Sequence, residues 1–116
     1  MIYWELNYIT LDIDYKYNSK KAKEKIKEIL KVFDYNPNIK IFKRKSSSGN
    51  LHILIIMDNN TTLEEHFFIR LYLGDDIKRI ENDIKRLKKG LPFNRLWDYK
   101  YNGDEYSKAG EWVRIK

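Results

Sequence analysis

The chain has 116 residues, enough for one small domain of about six secondary-structure elements. With 42% hydrophobic and 34% charged residues it can bury a core, which excludes wholesale disorder. The absence of cysteine excludes disulfides and thiolate zinc sites, and a net charge of +6 with 15% aromatics favours a polyanionic partner, nucleic acid or nucleotide.

Met1 leads directly into a strand-like segment with no signal-peptide pattern, and no apolar run approaches about 20 residues. The expectation is an intracellular, cytoplasmic protein with no membrane partner. The richness in Lys, Ile, Asn and Tyr also fits an A/T-rich genome, which raises lysine content without any function.

Residues 2–14 alternate in polarity. Ile9, Leu11 and Ile13 share one parity and read as the buried face of a strand, while Thr10, Asp12 and Asp14 share the other. Asn18 or Ser19 can cap a helix running to about Phe33, with Ala22, Ile26, Ile29, Leu30 and Phe33 at helical spacing. Asn36-Pro37-Asn38 is a turn. Residues 39–45 and 51–57 read as the strands of a hairpin joined by the serine/glycine turn 46–50. Thr62 and Glu65 form a capping box for a helix over 63–73, ended by Gly74. Asp75 or Asp76 can start a further helix with Ile77, Ile80, Ile84 and Leu87 on one face, stopped by Gly90 and Pro92. Residues 95–101 alternate as a strand, and 112–115 can form a short last one.

The order strand, helix, strand, strand, helix, strand predicts a single α+β domain over 1–116. The pattern is ferredoxin-like or RRM-like, β-α-β-β-α-β, with an antiparallel sheet in the order 4-1-3-2. Helices cover one face and the other is expected to be open, which is where function would sit.

In that arrangement the end of the first strand lies beside the starts of the third and fourth. Asp12, Asp14, His52 and Asp98 then converge, with Lys100 on the same face as Asp98. Carboxylates at i and i+2 on a strand point the same way, about 7 Å apart, and raise each other's pKa. A divalent cation removes that penalty, and hard oxygen donors suit Mg²⁺ or Mn²⁺, which also bring nucleotide phosphates. The chemistry this serves is in-line phosphoryl or nucleotidyl transfer. Strand-end solvation and helix capping are the plain alternative for Asp12 and Asp14. Lys20, Lys21 and Lys23 crowd a helix start, where an anion would relieve them, although a lysine-rich composition explains them equally well. Lys43, Arg44 and Lys45 precede the serine turn, whose amides and hydroxyls can hold phosphate oxygens; a solvated hairpin tip is the alternative. His66, beside Phe67 and Phe68, reads as structural.

These residues resemble the active-site signature of the archaeo-eukaryotic primase, or primase-polymerase, superfamily. Its first motif is a hydrophobic strand ending in Asp-x-Asp, here Ile9-Thr10-Leu11-Asp12-Ile13-Asp14. Its second is a serine/glycine turn leading to a histidine, here Ser47-Ser48-Gly49-Asn50-Leu51-His52. Its third is a hydrophobic residue followed by Asp on a later strand, here Trp97-Asp98. Asn50 stands where the family usually has a small residue. The resemblance implies a minimal RRM-like catalytic core, small enough for an archaeal virus or plasmid. It implies that Asp12, Asp14 and Asp98 are the catalytic, metal-binding acids for Mg²⁺ or Mn²⁺. His52, Arg44, Lys45, Ser48 and Lys100 would then hold a nucleoside triphosphate. Partners would be single-stranded or primer-template DNA, with a homodimer or a replication protein as further candidates.

The alternative is a non-catalytic, RRM-like nucleic-acid-binding protein that stacks bases on Trp4 and Tyr8. A nicking replication initiator would need a His-hydrophobic-His pair, which the sequence lacks. An interaction protein pairing through its sheet face is the remaining reading.

Overall fold

The computed structural model describes residues 6–96, 99–102 and 105–116, and for 99–102 and 105–106 the backbone alone. The element order is β1 (Tyr8–Lys16), α1 (Lys20–Val32), β2 (Lys40–Lys45), β3 (Asn50–Ile56), α2 (Leu63–Tyr72), α3 (Ile77–Lys88), β4 (Tyr99–Asn102), β5 (Glu105–Lys108) and β6 (Val113–Arg114). The fold class is α+β, as the sequence implies. None of the described helices is long and apolar enough to cross a membrane.

The expected helix starts form by the expected chemistry. Ser19 caps α1 by accepting from the Ala22 amide at 3.1 Å, and Thr62 and Glu65 close a reciprocal capping box on α2. Asp76 accepts from the Lys78 amide to start α3. Gly74, at φ 89°, makes the left-handed joint between α2 and α3 that a side chain would strain.

The core lies on one face of the sheet. Ile9, Leu11 and Ile13 of β1, Leu51, Ile53 and Ile55 of β3 and Ile41 of β2 pack with Ala22, Ile29 and Phe33 and with Leu73 beyond α2. Each such aliphatic side chain contributes about 1.5–3 kcal/mol through burial. A one-residue register slip would expose the whole set, so the alternation fixes which face Asp12 and His52 occupy.

The main sheet is antiparallel, in the order β1-β3-β2-β6. The predicted 1-3-2 succession is present, but among the described residues no strand takes the place beside β1 reserved for a fourth. Instead β4 pairs with β5 as a separate two-stranded sheet, and β6 adds to the outer side of β2. The physical reason lies in the chain after Gly90. Pro92 has no N–H to give a ladder, and Asn94 adopts φ 64°, which breaks an extended run.

Side chains close the vacant edge. The Asn94 amide acts as a surrogate peptide group: Oδ1 accepts from Thr10 N at 3.0 Å and Nδ2 donates to Tyr8 O at 2.8 Å. Arg79 Nη1 donates to Thr10 O at 3.0 Å. Asp75 Oδ1 accepts from Asp12 N at 2.8 Å, and Asp76 N donates to Asp12 O at 3.2 Å. On the edge away from β3, backbone groups of β1 from Tyr8 to Asp12 are thereby paired by groups other than a described strand.

A buried ion network carries these side chains. Asp75 bonds Arg70 Nε at 2.7 Å and Arg79 Nη1 at 2.9 Å, and Arg70 Nη2 lies 2.8 Å from Asp83 Oδ2 in an ion-pair contact. Burial of charge is costly unless each partner is met, and here carboxylates and guanidinium groups alternate. The network ties α2 and α3 to the edge of β1.

The second sheet face is also less open than expected. Thr10, Arg44 and His52 are buried there. The chain near the C-terminus closes over it, with Gly110 N donating to Lys45 O at 2.8 Å and Trp112 lying over the Arg44 guanidinium.

Candidate functional site

Register builds the site. Asp12 of β1 and Arg44 of β2 are both Cα partners of His52 on β3, so the three form a row across the sheet on the face opposite the core. Arg44 Nε donates to His52 Nδ1 at 3.0 Å, and the guanidinium carbon sits 4.4 Å from the Trp112 ring centroid. A guanidinium only donates, so Nδ1 is the acceptor and the neutral ring carries its proton on Nε2. That N–H faces Asp12 Oδ1, 3.7 Å away. His52 therefore presents a donor to the cleft, suited to an anion and unsuited to ligating a metal through Nε2.

The Asp12 carboxyl is 38% exposed and its pKa is raised. Burial is the main cause; Arg79 opposes it, and Asp75, Asp76 and Asp14 add to it. Asp14 lies two residues on, exposed, and accepts from Asn50 Nδ2 at 3.3 Å. Asn50, a departure from the family pattern, thus fastens the hairpin to the second acid.

The hairpin tip is a tight turn. Ser46 N donates to Asn50 O, Gly49 N donates to Ser46 O, and Ser46 Oγ accepts from Asn50 N. Gly49 takes φ 91°. The amides of Ser47 and Ser48 take no part in these bonds.

A cleft of about 370 Å³ joins these groups to α3. Asp12, His52 and Ser46 to Ser48 line it from the sheet and turn; Asp76, Lys78, Arg79, Asn82, Asp83 and Arg86 line it from α3 and its start; Pro92, Phe93, Arg95 and Leu96 also line it.

The sequence-predicted residues divide. Asp12, His52 and Ser48 meet on the cleft; Asp14 is bonded to Asn50 and is not among the cleft-lining residues. Arg44 reaches the site, but as a buried residue holding the histidine. Lys45 and Lys43 pair with Leu51 and Ile53, residues of the core face, so alternation turns them away from His52; Lys43 instead lies over the Tyr17 ring. Asp98 lies outside the described residues, as does the side chain of Lys100, whose backbone pairs with Ser107. Among the described residues no three His, Asp or Glu side chains form a metal-holding group. The acids present still fit Mg²⁺ or Mn²⁺, which keep several waters and need only one or two protein carboxylates plus substrate phosphates.

Two of the three lysines at the start of α1 have local partners: Lys20 is 4.0 Å from Glu24, and Lys21 lies over Tyr15. His66 is structural, fully buried with edge contacts to Phe67 and Phe93. The α3 wall escaped sequence reading because its polar residues look like a solvated face. The available signal was the spacing of Lys78, Asn82 and Arg86, four residues apart on one side of the helix.

No protein-family model matches this sequence, and neither a curated protein nor a solved structure is significantly similar to it.

Proposed function

We propose that the chain is a metal-dependent nucleotidyltransferase of minimal primase-polymerase type. The observation that carries the reading is the meeting of Asp12, His52 and Ser46 to Ser48 on one cleft, because these come from two separate motifs of the resemblance. Asp12 and Asp14 would hold Mg²⁺ or Mn²⁺, with Asp98 as the third acid of the motif set. A cation held there would supply charge neutralisation of the triphosphate and activation of the attacking hydroxyl.

The chain's own groups do the rest. The His52 Nε2–H and the turn amides of Ser47 and Ser48 donate to phosphate oxygens. Arg44 fixes the ring and its tautomer from behind, much as an outer partner orients a catalytic histidine. A 3′-hydroxyl then attacks the α-phosphate in line; the new P–O bond forms as the bond to pyrophosphate breaks, and the hydroxyl proton leaves to solvent.

Calorimetric titration of a nucleoside triphosphate with and without Mn²⁺ tests this. Binding should require the metal and disappear in Asp12→Asn. A wild-type chain that takes up no nucleotide in Mn²⁺ would leave the RRM-like nucleic-acid-binding reading in its place.

A further inference from the structure

The α3 wall of the cleft is unused by the nucleotide reading. Lys78, Asn82 and Arg86 follow one another at i, i+4 and i+8, a straight stripe about 12 Å long on one helix face. All three are exposed, and among the described residues neither Lys78 nor Arg86 makes a side-chain ion pair. Of the other cations lining the cleft, Arg79 is bonded to Asp75 and Thr10, and Arg95 has an interaction of its own; Arg70, outside the lining, is bonded to Asp75 and Asp83. Buried Asp83 is neutralised by Arg70, which leaves the stripe positive on the cleft side, with Asp76 engaged in capping the helix.

A stripe of two cations with an amide between them suits a row of repeating anions better than one compact triphosphate. The opposite wall already offers its donors to a triphosphate. Apolar Pro92 and Leu96 also line the cleft, where a base or sugar can rest.

We propose that Lys78, Asn82 and Arg86 form a strand-binding wall that takes the phosphodiester backbone of single-stranded DNA. Lys78 and Arg86 neutralise phosphates and Asn82 hydrogen-bonds between them. The inference rests on the nucleotidyltransferase reading in one respect, that the strand held here ends in the 3′-hydroxyl that meets the nucleotide. The affinity itself comes from counterion release and carries little sequence preference.

The test is fluorescence anisotropy of a labelled oligothymidylate against salt, with the full chain. Compared proteins are the wild type, Lys78→Ala/Arg86→Ala, and Lys85→Ala/Lys88→Ala, which removes the same charge from exposed positions of α3 outside the cleft. Loss of two phosphate contacts should lower affinity at least about tenfold at low salt and flatten the log–log salt slope by about 1.4 in the cleft variant. The Lys85/Lys88 variant should keep most of the affinity. Mn²⁺-dependent nucleotide binding should be unchanged in both. Equal losses in the two variants would overturn the proposal in favour of diffuse charge. Loss of nucleotide binding with strand binding intact would overturn it by assigning the stripe to the triphosphate. Strand binding that depends on the stripe, in a protein that binds no nucleotide, would uphold the wall and sink the nucleotidyltransferase reading alone.

Discussion

His66 is fully buried, with Phe67 and Phe93 at its edges and Arg70 Nη1 3.3 Å from Nε2. Burial and then the Arg70 charge lower its pKa from 6.5 to about 4. Among the described residues its Nδ1–H has no hydrogen-bond partner, which adds to the tension at this position. Between about pH 6.5 and about pH 4 the unfolded chain binds a proton that the folded chain refuses, so stability falls as pH falls through that window. The loss amounts to about 3 kcal/mol at the acid end. His66→Gln keeps an acceptor for Arg70 and removes the titration. Urea unfolding at about pH 5 and about pH 7 should show the wild type losing stability on acidification and the variant losing clearly less. At the same scale, sequence alternation placed His52 on the face opposite the core, and the neighbouring Phe67 and Phe68 on a helix marked His66 as structural. It could not show that Arg44 is covered by Trp112, because that contact joins residues far apart in the chain.

At the scale of elements, the caps, the turns and the succession of β1, β3 and β2 were legible because each depends on local chemistry or strict alternation. The neighbour of β1 was not. An alternating segment at 95–101 looks like a partner strand, but a sheet edge can also be satisfied by side chains, and no periodicity announces that. Asn94 is the test case. Removing its side chain leaves the part-buried Thr10 N without its partner, at about 1–3 kcal/mol, while Tyr8 O, on the exposed side, passes to water. Asn94→Ala also places a Cβ residue without a compensating bond at φ 64°. Asn94→Gly relieves the backbone conformation but not the lost bonds. The expected order of stability in denaturant titration is wild type, then Gly, then Ala. Faster hydrogen exchange at the Thr10 amide should accompany both variants. Equal stability of all three proteins would mean that the edge is held by Arg79 and Asp75 without Asn94. An unzipped edge is also a template for pairing with a second chain, so concentration-dependent aggregation should rise in the same order.

For the whole molecule, the decisive property is that one cleft lies between a sheet end rich in acids and donors and a helix rich in bases. Burial raises the Asp12 pKa; Arg79 opposes this, and Asp75, Asp76 and Asp14 add to it, so ionising Asp12 costs the fold stability. For a carboxyl raised in the folded state, the associated stability is present at low pH and is lost as pH rises through the folded pKa. A divalent cation reverses that by favouring the carboxylate, and anything that binds only the folded state raises its melting temperature. Mn²⁺ should therefore raise the melting temperature of the wild type by an amount that grows with metal concentration. Asp12→Asn/Asp14→Asn should melt at least as high as the wild type without metal, because it lacks the repulsion, and should show no response to Mn²⁺. Asp98→Asn separates a convergent site from two acids on one strand: a reduced Mn²⁺ shift places Asp98 with Asp12 and Asp14, whereas an unchanged shift leaves the metal with Asp12 and Asp14 alone and removes the third motif from the resemblance. A wild type indifferent to Mn²⁺ and Mg²⁺, but stabilised by oligothymidylate, would identify the cleft as a strand-binding groove without phosphoryl-transfer chemistry.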